Sequence, residues 1–132
     1  MDAVKLERPF HLYDLFETAE RELPEHGPDL YPFVQSRFAE HPNVVVTKGR
    51  VPDSLGNAPD KIAFLHIDMN SVEPEIAALD MLFDRMVPGG VLVLDDYGWI
   101  PYRRQFLAEQ EWFARRGVPV LELPTGQGLV IA

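Results

Sequence analysis

Three aspartates stand directly after two apolar runs of the chain. Asp68 follows the run 62–67, and Asp95 and Asp96 follow the run 91–94. Carboxylates held close together repel one another, so such a group either keeps a proton or binds a cation. Carboxylate, water and substrate oxygens suit Mg²⁺ or another hard divalent ion. The alternative is that Asp95 or Asp96 caps the next helix and Asp68 is merely solvated.

The two apolar runs and the segment between them have the pattern of one βαβ unit. Residues 71–86 are predicted to form its helix, because apolar side chains recur at spacings of three and four: Ile76, Leu79, Leu82, Phe83 and Met86. A right-handed crossover makes the two strands parallel and brings their carboxyl ends to one edge of the sheet. In open α/β sheets ligands bind at that edge. We therefore expect the three aspartates to lie close together.

The rest of the chain predicts an α/β fold with a mostly parallel sheet and an antiparallel C-terminal hairpin. Its further elements are strands at 10–14, 43–47, 118–123 and 129–131 and helices at 30–40 and 101–116. The turn of the hairpin is predicted to place Thr125 and Gln127 at the edge that carries the aspartates. With 132 residues the chain is expected to form a single domain, 1–132.

Composition excludes several classes of function. A net charge of −9 without basic runs argues against a nucleic-acid partner. The absence of cysteine excludes disulfides, a thiolate metal site and a cysteine nucleophile. No apolar stretch approaches the length of a membrane span, and the N-terminus lacks the apolar core of a signal peptide. A cytoplasmic location is the resulting expectation.

Other motifs carry less information. The phosphate-binding segment that an Asp-Asp strand of a P-loop ATPase requires is not found, and Gly126-Gln-Gly128 precedes a strand, so it is interpreted as a turn. Asp14 ends a strand and either binds ribose hydroxyls or has a capping or solvated role. His66 is interpreted as a hydrogen-bonded core residue rather than a catalyst. The aromatic residues after the Asp-Asp pair either wall a substrate pocket or cover the sheet edge: Tyr97, Trp99 and Tyr102.

Several segments together resemble class I S-adenosylmethionine-dependent methyltransferases. The segments are His66-Ile-Asp-Met-Asn70, Glu73-Pro74, Pro88-Gly-Gly-Val-Leu-Val-Leu-Asp-Asp-Tyr97 and Pro124-Thr-Gly-Gln-Gly128. They are most similar to the macrocin O-methyltransferase-like family, which acts on sugar hydroxyls of natural products. His11-Leu-Tyr-Asp-Leu-Phe16 resembles the second core strand of that family, and Lys48-Gly49 the end of the third. The resemblance extends from about Arg8 to Ile131 and implies a Rossmann-like methyltransferase sheet.

The resemblance also implies roles for individual residues. Asp14 would bind the ribose of S-adenosylmethionine, and Gly49 and Arg50 would lie near its adenine. Asp68 would be the general base, would contribute to cofactor binding and, with Asp95 and Asp96, would hold Mg²⁺. The substrate side of the site would consist of Asn70, Tyr97 and Gln127.

The sequence departs from the family pattern in two places. Asn70 stands where the family often has a second aspartate, which weakens the case for metal dependence. The first core strand, with its glycine-rich cofactor loop, should precede Arg8 and is not found, so a truncated domain is expected. Direct pairing of the flanking strands, a strand-swapped homo-oligomer or a separate chain would each compensate. A non-catalytic methyltransferase-like module and a divalent-metal hydrolase therefore stay open as alternatives.

Overall fold

The structure, a computed structural model, describes residues 7–16 and 30–132. The first residues of the chain and the segment containing Pro24 and Gly27 lie outside them. The helices and strands are β1 (Phe10–Asp14), α1 (Leu30–Arg37), β2 (Val44–Lys48), β3 (Ile62–Ile67), α2 (Val72–Leu82), β4 (Met86–Leu94), α3 (Arg103–Arg116), β5 (Leu121–Glu122) and β6 (Gly128–Ile131). None of the described helices is long and apolar enough to cross a membrane.

The chain divides into two compact units, Met1–Gly56 and Asn57–Ala132. In the first unit β1 and β2 pair in parallel, with Asp14 opposite Lys48. In the second unit four strands pair in the order β3-β4-β6-β5. β3 and β4 are parallel, whereas β6 is antiparallel to both β4 and β5. The predicted α/β class, with parallel strands and an antiparallel C-terminal hairpin, is confirmed.

The second unit contains the predicted βαβ unit, with shifted boundaries. α2 ends at Leu82 and a 3₁₀ turn follows at Phe83–Arg85, so the helix is shorter than the periodicity predicted. β4 already begins at Met86 and runs through the Pro-Gly-Gly segment, so it starts before the apolar run 91–94. Gly90 permits this close pairing, because a Cβ there would lie 3.2 Å from the carbonyl oxygen of Ile62.

α3 packs against α2 and against the 3₁₀ turn that follows α2. Trp112 and Phe113 of α3 are each 1% exposed, and both make edge contacts with Phe83 at centroid distances of 5.2 and 5.7 Å. The indole Nε1 of Trp112 donates a hydrogen bond to Asp80 Oδ1 at 2.7 Å. α3 ends as predicted at Gly117, whose left-handed φ of 66° lets its N–H reach the last carbonyls of the helix.

The apolar run 62–67, which forms β3, is partly exposed. Ile62 and Ile67 are buried, but Phe64 is 62% exposed and His66 is also exposed. β3 lies at an edge of its four-stranded sheet, where β4 is the one strand that pairs with it among the described residues.

The fully buried face of α2 should set the stability of the second unit. Leu79 is 0% exposed, so Leu79→Ala should lower the free energy of unfolding by about 3 kcal/mol through lost contacts and a residual cavity. The same substitution at Leu107, which is 48% exposed on α3, should cost less than about 1 kcal/mol. Urea unfolding of the two variants tests this difference; equal losses would contradict the packing described here.

Candidate active site

The structure brings Asp68, Asp95 and Asp96 together at the carboxyl ends of β3 and β4. Each offers one carboxylate oxygen, and these oxygens all lie within 4.8 Å of one another. We call these residues the acidic trio. The pairing of β3 and β4 brings the three aspartates together. Ile67 lies opposite Leu94, and the N–H of Asp95 donates to the carbonyl of Ile67 at 3.0 Å. Neither Asp95 nor Asp96 caps α3, whose N-cap position is Tyr102 without a side-chain cap.

The electrostatics of the acidic trio favour a positive charge among its members. Partial burial raises the pKa of Asp96, and the charges of Asp68 and Asp95 raise it further. A bound cation would offset this repulsion, and oxygen-only ligands suit a hard divalent ion. The set of donor atoms therefore fits Mg²⁺.

Asp95 is held by side chains from β3 and from the turn before β6. The Nε2 of Gln127 donates to Asp95 Oδ1 at 2.7 Å, and the Nε2 of His66 lies 3.4 Å from the same oxygen. Gln127, assigned from the sequence to the substrate, thus contacts an aspartate of the trio. The interpretation of His66 as a core residue is wrong, because its side chain is 43% exposed on an edge strand.

Asn70 forms part of a tight turn between β3 and α2. It adopts a left-handed φ of 54°, a conformation that asparagine tolerates better than most residues. Its side-chain Nδ2 lies 3.4 Å from Asp68 Oδ1. The backbone N–H groups of Met69 and Asn70 both donate to Glu75 Oε1, at 2.9 and 3.1 Å. Asn70 is therefore placed to orient Asp68.

Two buried glutamates behind the acidic trio were not among the candidate residues. Glu75 of α2 is 1% exposed and Glu109 of α3 is 0% exposed. Burial raises the pKa of Glu109 to about 9, and the neighbouring Glu75 contributes to the rise. Burial also raises the pKa of Glu75. The burial of Glu75 could have been predicted from its position in the sequence, because Glu75 lies on the same inward-facing side of α2 as Ala78, Leu79 and Leu82.

An open groove of about 330 Å³ lies beside the Asp-Asp pair. Its lining residues are Tyr97, Gly98, Trp99, Ile100, Arg103, Phe106 and Glu122. Tyr97 is only 5% exposed and packs edge-on against Phe106 at 4.8 Å, so it supports one wall. Burial, Glu109 and Glu122 raise the pKa of Tyr97. Trp99 is 54% exposed and gives the groove an accessible aromatic face.

Asp14, Gly49 and Arg50, which the sequence assigned to the methyl donor and to no other role, lie in the first unit. The N–H of Gly49 donates to the backbone oxygen of Asp14 at 3.0 Å, so the structure brings Asp14 and Gly49 together, with Arg50 next in the chain. One carboxylate oxygen of Asp14 accepts the N–H of Phe16, which fixes the chain where Phe16 takes a φ of 51°. Asp14 thus stabilises its own loop.

Comparison with known proteins identifies related families and folds. Residues 34–119 match the family model described as Macrocin-O-methyltransferase (TylF). The solved structure of the O-methyltransferase NovP is similar, with a TM-score of 0.73 and 18% identity. It is matched over 96% of this chain and 61% of its own. Comparison with curated protein sequences finds no significant match.

Two structures of the calicheamicin methyltransferase CalS11 are also similar. The apo form, described as a TDP-rhamnose 3'-O-methyltransferase, has a TM-score of 0.68 and 18% identity over 94% of this chain and 58% of its own. The other has a TM-score of 0.74 and 16% identity over 94% and 60%. This chain thus spans about three-fifths of the length of these proteins. The similarity confirms the Rossmann-like methyltransferase fold.

The buried proton on Glu109 should make stability depend on pH. The unfolded chain loses this proton near the ordinary value of 4.5, whereas the folded chain keeps it up to about 9. The free energy of unfolding should therefore fall as pH rises from 4.5 to 9, because over that range the folded state binds the extra proton. Glu109→Gln removes the titrating group, so its urea midpoint should fall less over this range than that of the wild type.

Glu111 provides the matched control for this titration. Its side chain is 70% exposed on the same helix, so Glu111→Gln should keep the pH dependence of the wild type. The assignment would fail if Glu109→Gln and Glu111→Gln followed the same curve.

Proposed function

The chain belongs to the macrocin-O-methyltransferase (TylF) family, and we propose that it transfers a methyl group from S-adenosylmethionine to a hydroxyl of a sugar or other small natural product. The family match covers more than half of the chain. The similar structures include a TDP-rhamnose 3'-O-methyltransferase, which supports a sugar as the acceptor. Because this chain spans about three-fifths of those proteins, a non-catalytic methyltransferase-like module is the second candidate.

We propose that the acidic trio holds Mg²⁺ beside the acceptor. The observation that supports this most strongly is the convergence of three carboxylate oxygens within 4.8 Å at the ends of two parallel strands. A divalent ion at such a site lowers the pKa of a hydroxyl group and fixes its position. The hydrogen bond from Gln127 leaves Asp95 oriented for this role.

Asp68 is proposed as the general base, because it is the most exposed member of the acidic trio and therefore the one that an acceptor reaches first. Its carboxylate takes the proton of the acceptor hydroxyl, and Asn70 Nδ2, 3.4 Å away, helps to hold it in place. The groove lined by Tyr97 and Trp99 would position the acceptor. Positioning supplies much of the rate gain in such a displacement.

We propose that Asp14, Gly49 and Arg50 of the first unit contact S-adenosylmethionine. Asp14 stands at the end of β1, where an acidic residue can bind ribose hydroxyls. Gly49 and Arg50 follow β2 directly and are suited to contact the adenine ring. S-adenosylmethionine itself supplies a methyl group on a positively charged sulfur.

Isothermal titration with S-adenosylmethionine, with and without Mg²⁺, tests the proposed function. Saturable binding of the donor, together with methylation of a sugar hydroxyl, is the expected result. Absence of heat at high donor concentration would contradict methyl transfer by this chain and favour the non-catalytic module. Binding of Mg²⁺ without the donor would favour a metal-dependent hydrolase.

Removing one carboxylate of the acidic trio should weaken the metal site. Asp95→Asn should lower Mg²⁺ affinity by roughly tenfold or more, since a carboxylate ligand is replaced by a neutral amide. Asp84→Asn makes the same change of charge at an exposed position outside the trio and should leave the affinity unchanged. Mg²⁺ titration of the two variants measures the difference; equal affinities would contradict the assignment.

A further inference from the structure

The buried carboxylate of Glu75 is directed at the turn that carries Asp68. Its Oε1 accepts hydrogen bonds from the backbone N–H groups of Met69 and Asn70, at 2.9 and 3.1 Å. Both groups lie just before the N-cap of α2, which is Ser71 and makes no side-chain cap. Glu75 thus reaches back from the first turn of α2 to backbone N–H groups that precede the helix, as the glutamate of a capping box does at the N-cap.

The turn held by Glu75 has a conformation that requires support. Asn70 has a φ of 54°, in the left-handed region that costs energy for any residue with a side chain. Asp68 stands two residues earlier, and Asn70 Nδ2 lies 3.4 Å from its Oδ1. A change in this turn would therefore move the carboxylate of Asp68 relative to Asp95 and Asp96.

Glu109 lies behind Glu75 and completes the arrangement. Glu75 Oε2 and both carboxylate oxygens of Glu109 are buried and have no donor among the described residues. Two ionised carboxylates cannot hydrogen-bond to each other, but a carboxylic acid donates to a carboxylate. Burial raises the pKa of both side chains, that of Glu109 to about 9, so the pair keeps a proton at neutral pH that lets one carboxyl group donate to the other.

We propose that Glu75 is a positioning residue for the acidic trio, which fixes the Met69–Asn70 turn through two backbone hydrogen bonds and thereby places Asp68 against Asp95 and Asp96. Glu109 acts through Glu75, as the acid that donates to its second oxygen. The effect on the turn is independent of the chemistry of the site. The effect on metal binding and methyl transfer rests on the proposed function.

Amide hydrogen exchange of the wild-type protein is the first test, and it requires neither donor nor metal. The N–H groups of Met69 and Asn70 should exchange at least roughly tenfold more slowly than unprotected amides, because each is bonded to a buried carboxylate. Exchange of both amides at unprotected rates would overturn the proposal without any variant.

Substitutions then separate positioning from packing. Glu75→Leu fills the buried position with an apolar side chain but removes the acceptor, so exchange at Met69 and Asn70 should accelerate roughly tenfold. Its affinity for Mn²⁺, used alone as the metal probe, should fall by a similar factor. Glu75→Gln keeps an acceptor oxygen for the turn and an amide donor for Glu109, so it should restore both properties.

Glu109→Gln is a second conservative variant that should behave like the wild type. Its amide donates to Glu75 without needing a proton, so protection of the two amides and Mn²⁺ affinity should both be kept. Glu73→Leu serves as the control, because Glu73 is exposed in the same turn of α2 and makes neither bond to the turn.

The outcomes distinguish this proposal from the proposed function. A folded Glu75→Leu variant with wild-type exchange and wild-type Mn²⁺ affinity would overturn the positioning role. Protection that is lost in Glu75→Leu and restored in Glu75→Gln supports the role, even if the wild type binds no Mn²⁺. In that case the proposed metal site fails and the positioning of the turn does not.

Discussion

The parallel register of β3 and β4 is the constraint on which the acidic edge depends. Ile67 lies opposite Leu94, so the two strands end side by side. The hydrogen bond from Asp95 N to Ile67 O extends the strand pairing to its last residues. Because side chains alternate along a strand, a shift of one residue would turn the aspartates to different faces. α2 and α3 maintain this register by packing the core that contains Leu79, Trp112 and Phe113.

The electrostatics of the site are set by five carboxyl groups that lie at increasing depth below the surface. Asp68 is exposed, Asp95 and Asp96 are partly buried, and Glu75 and Glu109 are buried behind them. Negative charge this close together is unfavourable unless protons or cations offset it. In the interior a proton on Glu109 does so, with a pKa of about 9. At the surface the same constraint favours a divalent cation, so one electrostatic argument connects the core of the second unit with its proposed chemistry.

The sequence predicted the acidic trio because strong topological rules apply to it. An apolar strand, a crossover helix and a second apolar strand leave one arrangement, and the positions of Asp68 and Asp95 follow directly from the ends of the two strands. Gln127 was expected at the same edge, since the hairpin turn had to lie there. That its amide contacts Asp95 required the structure, because a turn fixes where a residue lies but not where its side chain points.

The features that the sequence did not predict are those in which tertiary packing overrides a local pattern. An acid within an apolar stripe, such as Glu75, is normally assigned to the surface, and only its buried partner on another helix reverses this. The exposure of Phe64 depends on which strands lie beside β3, which its own residues do not encode. β4 passes through Pro88 and Gly89, residues that normally interrupt a strand.

An anomalous difference map from crystals grown with Mn²⁺ tests the central claim most directly. The account predicts one strong peak at bonding distance from carboxylate oxygens of Asp68, Asp95 and Asp96, with Gln127 still bonded to Asp95. A map without a peak at these three residues, or with the ion bound elsewhere while the trio stays as it is, would contradict it.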